Sequence, residues 1–295
     1  HGHHRRQRQM CIRDSNHSDN ILLDGAQNVP SVLETITDLG MDSVALTEHG
    51  NLFGAVSFYK KAKDKNIKPI IGCEVYVAKG SRFQKDKSSG MGQYNHLVLI
   101  AQNYQGYKNL MKIVTHGYLE GFYYKPRVDT EILKKYNEGI ICLSACLKGI
   151  LPETLIYNGL EAGKQVAEEY SSIFPGRYYI ELQNHGIPEE LQNIQLATKL
   201  AKEMNLPIIA TNDAHYAKKE HYKAHDVHIC IGTGKHLSDK NRLKYPGHEF
   251  YFKSQDEMFS LFKQFPEALE NTRALADSVD LQIPMEDYHL PWYSI

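Results

Sequence analysis

The run "PIIATNDAHY", Pro207 to Tyr216, is an apolar stretch that ends in Asp213 and His215, two residues apart. In an extended chain the side chains at i and i+2 leave from one face, so this carboxylate and imidazole emerge together. An oxygen and a nitrogen donor aimed at one place suit a divalent cation, although the same residue types also close ordinary turns. Other apolar runs carry similar groups at their ends. "DSVALTEHG" ends in Glu48 and His49, "KPIIGCEVYVA" carries Glu74, "HLVLIAQN" begins at His96, "GIICLSAC" ends at Cys146, and "RYYIELQNHG" carries Glu181 and His185. Singly each has a structural explanation, and Cys146 would pass for a small buried apolar residue. As a set they favour a metal centre, because buried carboxylates and imidazoles are costly unless they are paired or ligated.

The elements that must position these residues alternate along the chain. Between the β-rich runs lie amphipathic stretches, among them "AVSFYKKAKDK", "YKNLMKIVTHGYL", "LEAGKQVAEEYSSIF" and "PEELQNIQLATKLAKEMN". An earlier one, "VPSVLETITDLG", starts near Ser31 and stops at Gly40. Strand and helix in alternation predict an α/β fold with a parallel sheet, either a barrel or a doubly wound sheet. In such barrels functional groups gather at the C-terminal ends of the strands, which brings ligands scattered in sequence together in space. From Ser254 onward two helices separated near Pro266 are expected.

Composition limits the alternatives. The chain has 295 residues, 42% hydrophobic and 23% charged, with a net charge of -1, which describes a globular protein without a global electrostatic signature of nucleic-acid binding. Any contact with DNA must be local. "YYKPRVD" offers Lys125 and Arg127 beside two tyrosines, a combination that can hold phosphate and stack on a base, or simply form a solvated loop. His221, His225 and His228 share one helix face, where an exposed or satisfied face is favoured over a metal site. No run reaches the length of about 18 apolar residues that a membrane span requires. Five cysteines, Cys11, Cys73, Cys142, Cys146 and Cys230, lack CxxC spacing, which fits a reducing cytoplasm rather than a disulfide framework. Residues 1–15, "HGHHRRQRQMCIRDS", have no apolar periodicity and read as a non-native leader.

The segments "LLDGAQ", "ALTEHGNLFGAVSFYKKAK", "IKPIIGCEVYVA", "EGFYYKPRVD" and "IIATNDAHY" resemble the PHP domains found at the N-terminus of bacterial replicative DNA polymerase alpha subunits, in the short form without an inserted exonuclease. The resemblance runs from about residue 16 and implies a PHP domain over 16–280, followed at 281–295 by the start of a linker to a polymerase palm. It implies a distorted seven-stranded β/α barrel, TIM-like, with a cleft for up to three divalent ions, zinc or manganese, at the C-terminal strand ends. Position by position it assigns His17, Asp24, His49, Glu74, His96, Cys146, Asp213 and His215 as metal ligands, with Glu74, Asp213 and His49 at the centre of catalysis. Glu74 would bridge two ions, and His49, Asp24 and His215 would hold the third.

Two positions depart from the family's pattern. Ser15 stands where its first HxH motif places a histidine, which weakens one metal position, and Glu48 replaces a more usual Asp. The implied activity is metal-assisted phosphoester hydrolysis, a 3′-to-5′ exonuclease. The implied partners are DNA and other replisome subunits, including a sliding clamp and a separate proofreading exonuclease. The magnesium ions of nucleotidyl transfer belong to a palm downstream of this sequence. A catalytically silent scaffold and a stand-alone PHP phosphatase are the alternative functions.

Overall fold

The computed structural model describes residues 28–85 and 93–285. The expected leader, with Ser15, and His17, Asp24 and most of the expected palm linker lie outside the described residues. Within them helix α1 (Val29–Asp38) leads into β1 (Ser43–His49), α2 (Ala55–Asp64), β2 (Lys68–Ala78) and β3 (Tyr94–Ala101). Helix α3 (Tyr104–Leu119) precedes a small hairpin of β4 (Phe122–Tyr123) and β5 (Lys125–Val128), then α4 (Thr130–Lys135) and β6 (Ile140–Leu143). Helices α5 (Ile150–Asn158) and α6 (Leu160–Ile173), strand β7 (Tyr178–Leu182), α7 (Pro188–Met204), β8 (Ile208–Ala210), α8 (Tyr222–Thr233), α9 (Gln255–Leu261) and α10 (Pro266–Ser278) complete the order.

The strands form one sheet in the order β4-β5-β2-β3-β6-β7-β8, with β1 beside β2, so seven strands remain when the two-residue β4 is set apart. The α/β sheet expected from the alternation is present, curled into a half-barrel, with one change of direction. β3 runs antiparallel to both β2 and β6, whereas β1 and β2, β2 and β5, β6 and β7, and β7 and β8 pair in parallel. Reversal brings the start of β3 to the rim where the other strands end, which is why His96 opens its strand while His49 closes one.

Local chemistry explains the element ends. α1 is capped by Asn28, whose side chain accepts from the Ser31 backbone N–H at 2.9 Å, with Pro30 just inside the helix, so the cap lies three residues before the expected Ser31. α9 begins with a reciprocal capping box between Ser254 and Glu257, and Pro266 opens α10 as expected. The buried Glu48 carboxylate accepts from the Gly54 N–H at 3.2 Å, at the N-terminus of α2. A carboxylate there is stabilised by the helix dipole, by about 0.3–1 kcal/mol, which gives Glu48 a structural role that its carboxylate chemistry alone explains.

The core lies between the sheet and its helices. Val44, Ile70, Ile71, Leu97, Leu99, Ile141, Ile180 and Ile209 are buried on the strands, and Leu33, Phe58, Leu110, Ala167 and Leu200 pack from the helices. One glycine permits the sheet to close up beneath the site. A Cβ at Gly72 would lie 2.6 Å from the Leu99 carbonyl oxygen and 2.7 Å from Thr47 Cγ2, so the β3 backbone and the Thr47 side chain approach β2 as they do only with hydrogen there. Gly72→Ala should therefore cost about 1–3 kcal/mol in urea unfolding.

A segment after α8 is fixed from the side by Arg242, which donates to both oxygens of Asp226 at 2.5 and 2.7 Å. The hydrogen bond from Arg242 holds the Asp226 carboxyl below its ordinary value of 3.8. With the native value depressed, this pair stabilises fully above the unfolded value and loses its contribution as pH falls through the lower native one. Because Asp226 is half-exposed, Asp226→Asn should cost less than about 1 kcal/mol at pH 7 and flatten the acid limb of the stability profile below pH 4, read by thermal melts across pH.

Candidate metal centre

The register of three strands builds the site. His49 lies opposite Glu74 across the β1/β2 pair, and His96 lies opposite Tyr76 across β2/β3, so strand alternation places His49, Glu74, Tyr76 and His96 on one face. The ligating atoms of His49, Glu74 and His96 all lie within 4.8 Å of one another. His96 Nδ1 closely contacts Glu74 Oε1, and His49 Nδ1 is 3.4 Å from the same oxygen. Cys146 Sγ is 3.6 Å from His96 Nδ1. Glu74 is only 2% exposed, so its charge must be balanced inside the protein.

Six of the eight predicted ligands, His49, Glu74, His96, Cys146, Asp213 and His215, line a single cavity of about 230 Å³. His215 Nε2 is 3.3 Å from Asp213 Oδ1, so the pair that ends β8 does turn into the same space. His17 and Asp24 lie outside the described residues. Burial, followed by the negative charge of Glu74, Asp213 and Glu181, pushes the Cys146 thiol well above its ordinary value. A cation nearby would reverse that balance and favour the thiolate. The donor chemistry fits a divalent ion: two imidazole nitrogens and a carboxylate oxygen converge, with a thiol beside them, in one recess.

The groups beside the ligands have definite tasks. Glu181 accepts from the Ala145 N–H at 3.0 Å, from Thr211 Oγ1 at 2.5 Å and from Gln183 Nε2 at 3.2 Å. Ala145 has φ 66°, a left-handed conformation that costs a residue with a Cβ about 1–2 kcal/mol, and it is this turn that directs Cys146 into the cavity. Glu181 thus holds a strained turn in place. His185 accepts the Asp213 N–H on Nε2 at 3.2 Å, which leaves its Nδ1 to donate to Glu190 at 2.7 Å. Glu190, in the first turn of α7, also accepts the His185 N–H at 2.6 Å. The chain Glu190 to His185 to Asp213 fixes both a tautomer and a ligand backbone. Glu190 was missed in the sequence, where its only signal was its place five residues after His185.

Tyr245 Oη is 3.3 Å from His215 Nε2, with the two rings 4.7 Å apart, and Lys148 and Lys244 also line the cavity. None of the three was legible in sequence, since all come from connecting segments without a pattern. One expectation needs correction. Arg127 is 2% exposed, donating to the carbonyls of Gly121, Arg82 and Gln84, so it ties the β5 strand to a loop and is not available to DNA phosphate. Lys125 is half-buried, 5.3 Å from the Tyr76 ring, whose own centroid is 5.5 Å from that of His96; it faces the rim of the metal centre. His225 is buried among His215, Tyr216 and Tyr245, a satisfied core histidine, while His221 is exposed in a short 3-10 turn before α8.

The strands form a mixed α/β half-barrel, and imidazole, carboxylate and thiol donors gather on one rim of it. The PHP domain model matches residues 15–185, and the chain belongs to that family. It is homologous to the N-terminal region of the DNA polymerase III alpha subunit. It is 45% identical over 282 residues to the "DNA polymerase III subunit alpha" of Borreliella burgdorferi, covering 93% of this chain and 24% of that protein. The Thermus aquaticus protein of the same name is 39% identical over 288 residues, covering 95% of this chain and 24% of that protein. The chain thus spans about a quarter of the length of these relatives. Among solved structures, an amidohydrolase from Chromobacterium violaceum aligns over 70% of this chain and 87% of that one, with a TM-score of 0.44 and 13% identity. Among the described residues no helix is long and apolar enough to cross a membrane.

If Glu74 is the shared charge of the site, Glu74→Gln should lower divalent-metal affinity by more than about 100-fold, beyond the roughly 10- to 100-fold typical of outer partners. Glu190→Gln should fall within that lower range. Equilibrium dialysis with metal analysis by mass spectrometry measures both, and full retention of metal by Glu74→Gln would exclude the assignment.

Proposed function

We propose that this chain is the PHP domain of a bacterial replicative DNA polymerase alpha subunit, over 16–280, and that its cavity is a 3′-to-5′ exonuclease centre. The observation that carries this reading is the convergence of His49, Glu74, His96, Cys146, Asp213 and His215 on one recess. His49, Glu74, His96 and Cys146 would hold one divalent ion, with Asp213 and His215 contributing to a neighbouring site; zinc or manganese matches these donors. Bound there, the ions supply Lewis-acid activation of water and charge compensation for a phosphoryl group.

The protein's own groups supply the rest. Asp213, 15% exposed at its side chain, is the carboxylate placed at the cavity to take a proton from an attacking water, with its backbone held by His185. Glu74 lies between His49 and His96, and Lys148 and Lys244 offer positive charge to a phosphodiester entering the cavity. Within a full polymerase the domain would act in the cytoplasm beside DNA, a sliding clamp and other replisome subunits.

The test is digestion of 5′-labelled single-stranded DNA by the chain loaded with manganese or zinc. Stepwise shortening from the 3′ end, abolished by chelator and reduced at least about 100-fold in Glu74→Gln, is the expected result. A folded, metal-loaded protein that leaves the strand intact would replace the exonuclease with the scaffold reading.

A further inference from the structure

Beside the metal cavity lies a second hollow of about 400 Å³, and the two share Lys244 and Tyr245 as a common wall. Its sides are aromatic. The Tyr222 and His248 rings lie 3.9 Å apart at 30°, and Tyr216 is buried at its edge. Lys223 Nζ sits 5.9 Å from the Tyr222 ring. The acidic group on this wall, Asp226, has both oxygens engaged by Arg242, so it does not oppose an anionic ligand as a bare carboxylate would. Lys223 and Lys244 are exposed, and Lys244 also acts on Asp226 through its charge.

Aromatic faces with lysines at the lip, one wall away from a phosphate-binding recess, match the chemistry of a single-stranded nucleotide: base on rings, backbone on cations. We propose that this hollow seats a nucleobase of the strand whose neighbouring phosphate enters the metal cavity, with Lys244 neutralising the backbone between them. The inference rests on the reading of the cavity as a phosphodiester site and adds the path that the strand takes away from it. Sequence tolerance follows, because every base offers a π-face to Tyr222 and His248.

Fluorescence anisotropy with a labelled short oligothymidylate, and with an abasic sugar-phosphate strand of equal length, tests it in chelator so that nothing is cleaved. The chain should bind the base-bearing strand about 10-fold more tightly, the scale of one stacked base. Tyr222→Leu and His248→Ala should bring the two strands within about twofold of each other, and Tyr222→Phe should keep the preference. His248 is exposed, so its variant reads out even where Tyr222→Leu fails to fold. Lys244→Ala should weaken both strands alike and flatten the salt dependence. Equal affinity of the unaltered chain for both strands, or a preference that survives His248→Ala, overturns the proposal. Metal-dependent hydrolysis of bis(p-nitrophenyl) phosphate, which carries no base, separates the two readings. Hydrolysis without base preference removes only the hollow, whereas base preference without hydrolysis removes only the phosphoesterase.

Discussion

The buried carboxylate of Glu74 is the constraint on which the rest of this structure depends. A carboxylate 2% exposed in the middle of a sheet is affordable only where partners converge on it, and here the imidazoles of His49 and His96 do so from the two strands flanking β2. That requirement fixes the register on both sides of β2. A slip of one residue in either pair would send the imidazole to the helix-covered face and strand the carboxylate. Gly72, two residues before Glu74, lets the β3 backbone and the Thr47 side chain close up on β2 directly beneath it.

Around that centre the protein holds its candidate ligands through their backbones as much as through their side chains. Glu181 fixes the left-handed Ala145 before Cys146, and the Glu190 and His185 pair fixes the Asp213 amide. Each device uses a buried carboxylate whose hydrogen bonds are satisfied, the condition under which such groups rigidify a site rather than weaken it. Ligands at the ends of separate strands would otherwise inherit the mobility of the loops that follow them.

One side of the cavity is closed by residues far along the chain. Tyr245 packs on His215, His225 and Phe250, and the Tyr216 and Phe250 backbones meet through a hydrogen bond of 3.3 Å. This aromatic cluster is a small core separate from the main one. It turns His225, which the sequence offered as one of three histidines on a helix face, into packing, and it joins the metal cavity to the neighbouring hollow.

Much of this was legible in the sequence, and the reason is local. Apolar runs of strand length ending in His49, Cys146 and the Asp213/His215 pair declare their own strands and rims, and the helix boundaries at Gly40 and Pro266 follow from backbone chemistry within a few residues. What stayed hidden depends on partners distant in sequence. The antiparallel course of β3 could not be read because strand direction is set by which edge a strand joins, not by its own residues. Arg127 looks like a surface cation in "YYKPRVD", yet carbonyls from Arg82, Gln84 and Gly121 take its guanidinium into the interior. Lys148, Lys244 and Tyr245 carry no periodic signal and reach the cavity only through the packing of loops. The sequence by itself determined which side chains can bind a metal; tertiary structure decided which of them share one recess, because that depends on pairing and burial between segments up to two hundred residues apart.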